Sequence, residues 1–187
     1  MDNRHFVDGH PSNSDNQWVS ERLFANARHV TNKEYNLILD TVVVNCVDVA
    51  LVSIGLKIFM ARRINEPYKG GLALPGGRQV PGESYGQTAA RHTKKNTGLD
   101  IEPSRFTFVR SDSWVWSRRA QEPQDRGCHM NGVTVFASLT EHEVQQIQCD
   151  DDISEPQWLS LQEASSNEEI HPAHRNAALD ILRGKVE

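Results

Sequence analysis

Asp48 stands inside an aliphatic run, VDVALV from Val47 to Val52, where a carboxylate must find a partner once it is buried. Arg63, from the next strand region, is the natural candidate. The two either form a plain salt bridge or face a ligand together. Arg78 follows two glycines, Gly76 and Gly77. Its planar fork suits a phosphate, and a solvated surface position is the other reading. Further on, His92, Lys95 and Asn96 are spaced i, i+3, i+4 and therefore share one helix face. That face offers an imidazole, an ammonium and an amide, but no carboxylate, so Mg²⁺, which prefers oxygen ligands, is not expected on it. Lys95, flanked by Arg91 and Lys94, either offers charge to an anion or belongs to a solvated face. Trp114 and Trp116 share a strand face and either stack on a planar base or pack in the core. His171 and His174 read as residues that cap or pack a last helix.

The elements that would position these residues are marked by capping-box spacings. Ser14-x-x-Gln17 and Thr31-x-x-Glu34 predict two short helices in an N-terminal extension, residues 1–40, the first carrying Trp18, Leu23 and Phe24. Residues 41–187 then form the main domain. Thr41–Leu56 is dense in β-branched residues and predicts a strand, with Lys57–Arg62 as its partner across a turn near Gly55. Pro67–Gly82 reads as loop. Ser84-x-x-Gln87 opens a helix that should end at Gly98, a left-handed cap. Strands are expected at 105–110, 113–117 and 132–138, with a long polar loop between the last two. Short helices follow Thr140 and Ser160, and a last one runs from about His174 to Arg183. Strands with helices interposed give an α/β or α+β fold.

Gly77, five residues, Glu83, seven residues, Arg91, and then Gly98–Leu99 resemble the Nudix box, G-x5-E-x7-R-E-U-x-E-E-x-G-U with U aliphatic. The preceding Leu72–Gly77, LALPGG, resembles the family's loop entry. The resemblance implies a mixed β-sheet sandwiched between helices over about 41–183. It also implies a nucleoside diphosphate ligand whose phosphates approach the glycine backbone while carboxylates on the helix hold Mg²⁺. Where the family has R-E-U-x-E-E, this chain reads Arg91-His92-Thr93-Lys94-Lys95-Asn96, so Glu83 alone is left of the acidic set. Arg91 would pair with Glu83, as in the family. If a divalent ion binds at all, Glu83, the Gly76 carbonyl or the Asp150–Asp152 run are the oxygen donors left.

Val47–Val49, Arg62-Arg63, the Pro67–Arg78 loop ending in Pro75-Gly76-Gly77-Arg78, Asp151–Leu159 and Ile170–Arg175 look like the GDP-mannose mannosyl hydrolase branch. That likeness implies that Asp48 and Arg63 contact diphosphate and sugar, and that Arg78 is the loop arginine. The branch's remaining metal-binding glutamate falls on Asn96, and its general-base histidine falls near His129. The branch is dimeric, which implies a homodimer with residues 14–40 lying across the partner.

The bulk properties agree with a small-molecule protein. At 187 residues and 37% hydrophobic the chain suits one domain. A net charge of -5 gives no basic field for nucleic acid. Cys46, Cys128 and Cys149 are far apart and read as reduced thiols. No apolar run approaches ~18 residues, and residues 1–14 are polar, a composition typical of a mobile tail, so neither a membrane span nor a signal peptide is expected and the cytoplasm is the default address. Two functions stand side by side: a nucleotide-sugar hydrolase, and an inactive Nudix pocket that binds or senses a nucleotide ligand.

Overall fold

The computed structural model describes residues 30–151 and 153–185, so the expected helix after Ser14 lies outside the described residues. Strand β1 (Val44–Ser53) is central because its apolar residues continue on both faces. Val47, Val49 and Leu51 enter one core while Ala50 and Val52 enter another, as the two-residue period of a strand requires. Asp48 shares the second face. Antiparallel to β1 run β2 (Lys57–Arg63) and the short β4 (Gly76–Arg78). β3 (Leu72–Ala73) and β7 (Ile153–Ser160) pair with β2. β6 (Cys128–Leu139) lies parallel to β1, and β5 (Thr107–Trp116) closes that side antiparallel to β6. The result is a seven-stranded mixed sheet.

Five α-helices are described. Four begin with a reciprocal capping box: α1 (Asn32–Thr41), α2 (Tyr85–Thr97), α3 (Glu141–Gln145) and α4 (Leu161–Ser166). Gly98 ends α2 in the left-handed conformation, φ 74°. The fifth helix, α5 (Pro172–Leu182), opens with Pro172 in its first turn, where the missing N–H costs nothing, and His171 as its cap. It therefore starts two residues before the expected position. α2 packs through Ala89 on the Val47 face, and α4 and α5 pack through Leu161, Ala164 and Ala178 on the Ala50 face. The mixed α+β sandwich is thus as expected. α1 covers one end of the second face, with Leu39 against Val44 and Cys128. No described helix is long and apolar enough to cross a membrane.

Two strand expectations are corrected. The stretches 105–110 and 113–117 are one strand, β5, with an irregularity between Phe108 and Arg110. Its polar middle does not break it because Arg110 and Asp112, two residues apart on one face, bond each other at 2.6 and 2.8 Å. Asp180 of α5 completes the cluster at 2.6 Å. β6 begins at Cys128 rather than 132, because Cys128–Asn131 pairs residue for residue with Trp116–Ser113.

Candidate ligand-binding site

The loop between β3 and α2 is pressed between β1 and that helix. A Cβ at Gly76 would lie 2.3 Å from the Val47 carbonyl oxygen, and one at Gly77 only 2.5 Å from the His92 ring. Only glycine lets β4 approach this closely. Glu83 locks the loop to α2. Its Oε1 accepts from Arg91 Nε at 2.6 Å, and its Oε2 accepts from Arg91 Nη2 at 2.7 Å, the Thr88 hydroxyl at 2.8 Å and the Val80 N–H at 3.3 Å. Burial opposes ionisation of Glu83, but these donors outweigh it and hold the carboxyl below its usual range. Arg91 Nη2 also donates to the Arg78 carbonyl at 3.0 Å. The expected Arg91–Glu83 pair is present and structural.

The rest of the helix face is committed as well. His92 is held neutral chiefly by burial, and its Nε2 is 3.2 Å from the Arg78 carbonyl. Asn96 is buried and donates to both carboxylate oxygens of Asp150, at 3.4 and 3.3 Å. Glu83 has both oxygens occupied by donors, so the residues of this face do not fit a hard divalent cation. Among the described residues no cluster of three or more His, Cys, Asp or Glu stands ready for a metal.

On the opposite face of the sheet lies a cavity of about 230 Å³. Asp48 forms part of its floor, beside Gly76 and Gly132. The expected Asp48–Arg63 ion pair is not formed. Asp48 Oδ2 instead lies 3.3 Å from His174 Nε2. His174 Nδ1 accepts the Leu74 N–H at 3.4 Å, so its proton is on Nε2, facing the carboxylate. Period and packing explain the exchange: Asp48 faces α5, which carries His174, while Arg63 Nε turns to the Pro67 carbonyl at 2.7 Å.

His171 serves both as the α5 cap and as cavity wall. Its Nδ1 accepts from Ala173 N–H at 3.3 Å, leaving the proton on Nε2. Burial, then neighbouring His174, lower its pKa to about 4, so the ring is neutral. Three aromatic rings surround it, with centroids at 4.3 Å for Trp114, 4.7 Å for Trp116 and 5.3 Å for Tyr68. Trp114 and Trp116 are therefore cavity wall; Trp158 instead packs edge-on against Phe59 in the core. Across the cavity the Arg78 guanidinium lies 4.8 Å over the Tyr35 ring of α1.

Arg63 and Gly76 border both this cavity and a second hollow of about 180 Å³, which is lined by His92, Lys95 and Asn96. The structure thus gathers Asp48, Arg63, Gly76, Gly77 and Arg78 at one cavity, with Lys95 round the corner of the same loop. His129 is not among them. Strand alternation turns it to the other face of β6 from Cys128 and Met130, where its Nε2 meets the Ser113 hydroxyl at 2.8 Å. Sequence reasoning missed Tyr35, Tyr68 and Arg119, which also line the cavity and come from loops or a helix with no diagnostic spacing.

The NUDIX domain family model matches residues 44–180. The chain belongs to the NUDIX family. Its solved neighbours include a MutT protein from Methanosarcina mazei Go1, at TM-score 0.60 and 15% identity, covering 76% of this chain and 94% of that one. The NUDIX domain of Shewanella oneidensis NrtR, solved with ADP ribose, gives 0.58 and 18%, covering 83% and 99%. The E. coli dihydroneopterin triphosphate pyrophosphohydrolase gives 0.60 and 16%, covering 77% and 99%. At these identities the likeness establishes the NUDIX fold. No curated protein matches the sequence.

Proposed function

We propose that this NUDIX protein binds a nucleoside diphosphate linked to a sugar or another group, and that arginine and lysine neutralise the diphosphate in place of a metal on the box helix. One observation carries the reading. Of the three arginines that line the cavity, Arg119 pairs with Asp40, whereas Arg63 and Arg78, beside Gly76 and Gly77, pair with no carboxylate among the described residues. Two such guanidinium groups beside a half-buried glycine backbone suit an anion. Lys95, in the adjoining hollow, adds charge on the helix side.

Each shielded charged contact contributes about 1.5–3 kcal/mol, and a base stacked on Trp114 or Trp116 about 1–3 kcal/mol. Two or three together approach the roughly 8 kcal/mol of a micromolar ligand. Asp48, held by His174, then offers an acceptor to a hydroxyl of the linked group, which supports the nucleotide-sugar class. Substitution of His92, Lys95 and Asn96 for glutamates supports a degenerate box, and with it a binding or sensing role in preference to metal-dependent hydrolysis. Calorimetric titration of GDP-mannose and ADP-ribose tests the reading, in EDTA and again with Mg²⁺. Binding in EDTA is expected, and Lys95→Glu should weaken it at least tenfold. Binding that requires Mg²⁺, or that ignores residue 95, overturns the metal-free pocket. Product release from the sugar nucleotide would overturn the binding-only role.

A further inference from the structure

Arg119 has a position unlike that of any other cavity residue. Its side chain is 1% exposed, yet it lines the cavity. Asp40 of α1 neutralises it through Nη1 at 2.6 Å. Its Nε donates to the Gln121 carbonyl and its Nη1 to the Gly127 carbonyl, both at 3.3 Å. Nη2 has no hydrogen-bond partner. A buried donor left unmatched costs about 1–3 kcal/mol, so a native protein keeps one where something else satisfies it. Asp40 is shared with Arg126, whose Nη1 donates to its other oxygen at 2.8 Å, and what Nη2 lacks is a hydrogen-bond acceptor.

The position of Arg119 along the cavity indicates which part of a ligand would meet it. Asp48 is in register with Thr134 on β6, whereas Trp116 is in register with Cys128, six residues earlier, and Arg119 bonds the Gly127 carbonyl just beyond. At about 3.3 Å per residue the two ends are roughly 20 Å apart along the strand, less the inward reach of the side chains. The glycine loop lies at the Asp48 end, with Gly76 in register with Asp48 and Arg63 beside it in the cavity wall; Arg78, in register with Cys46, is two residues further along. Between the ends stand Trp114, Trp116 and Tyr68, which suit a flat ring.

We infer that Arg119 selects the nucleobase at this site, favouring bases that carry an oxo group over their amino counterparts. The inference rests on the nucleoside diphosphate reading and narrows it. An oxo oxygen accepts from Nη2 and completes the guanidinium. Adenine and cytosine present an N–H₂ donor at the corresponding position, which leaves two donors facing each other. Discrimination of this kind typically amounts to tenfold or more.

The test uses two ring-matched pairs, GDP against ADP and UDP against CDP, titrated calorimetrically into the full chain in EDTA. GDP and UDP should each bind at least tenfold tighter than the amino partner. Arg119→Lys keeps the charge beside Asp40 but removes Nη2, and should bring both ratios to within about threefold; ratios that stay tenfold in the variant overturn the assignment to Arg119. If that variant fails to fold, the wild-type ratios alone decide. Equal affinity within both pairs overturns the inference, with water as the partner of Nη2, and leaves the diphosphate reading standing. Absence of binding by all four nucleotides overturns both.

Discussion

Glu83 shows how one residue can tie the glycine loop to the helix that follows it. Both of its oxygens are taken by Arg91, Thr88 and Val80, so it acts as a clasp between loop and helix. Glu83→Gln should therefore lower stability by about 2–4 kcal/mol, since it leaves a half-buried Arg91 without its bidentate partner. Nucleotide binding in EDTA should change far less than stability does. Denaturant unfolding beside calorimetry checks this; a metal-binding role would show the reverse, with stability kept and an Mg²⁺ effect lost. The Glu83–Arg91 pair was legible only through the resemblance to the Nudix box, since Glu83 stands before the Ser84 cap and outside the helix that carries Arg91. Asp48 was only half legible. Its burial and need for a partner follow from the strand pattern, but the partner lies 126 positions away on α5, as His174. No local spacing encodes a contact of that kind. Arg119 was not legible at all, because it stands in a polar stretch without period.

Among the elements, β4 and α2 form the unit that shapes the site, and their contact is set by a glycine against an imidazole. A Cβ at Gly77 would meet His92 Cε1 at 2.5 Å. Gly77→Ala should cost about 1–3 kcal/mol through overpacking, and much of that cost should disappear in a His92→Ala background. A double-mutant cycle by chemical denaturation measures this coupling. Additive effects would show that the glycine is needed for its backbone alone. The helices were well read in advance because a capping box is local: Thr31, Ser84, Thr140 and Ser160 each meet a partner three residues on. Strand limits were read less well. Arg110 to Ser113 look like a break until Asp180, from a distant helix, is present to neutralise Arg110. The strand continues because tertiary contacts make its polar middle affordable, and no propensity contains that information.

At the scale of the molecule, β5 forms an edge of the sheet, and Val115 near its end is 80% exposed, with Leu37, Val42 and Val43 of the α1 region at 64%, 55% and 50%. A homodimer with residues 14–40 lying across the partner is a proposal for this chain, and these apolar groups are surface that such an assembly could bury. Light scattering at micromolar concentration should give twice the chain mass, and a monomer would refute it. Global stability should also carry an acid dependence set by α5. Burial, then His174, hold the His171 pKa at about 4 against an ordinary 6.5. In the folded state its Nδ1 must stay unprotonated to accept the Ala173 N–H. Above pH 6.5 the ring is neutral whether folded or unfolded and contributes no slope. Between pH 6.5 and about 4 the unfolded chain takes up a proton that the folded one refuses, so stability falls as pH falls. The full span amounts to about 3 kcal/mol, or roughly 6–12 °C in Tm for a chain of this size. His92, also lowered chiefly by burial, adds to the loss in the same direction. Asp40 and Glu83, both lowered, lose their contributions only below the ordinary carboxylate range and so leave the upper part of the window clear. His171→Asn keeps a side-chain acceptor at the cap but does not titrate. Its melting temperature at pH 7 should be lower than that of wild type, because the ring packed against Trp114 and Trp116 is gone, but it should decline less between pH 6.5 and 4.5. Parallel thermal melts of the two proteins across that interval would show the slopes converging only if His171 is charged in the native state.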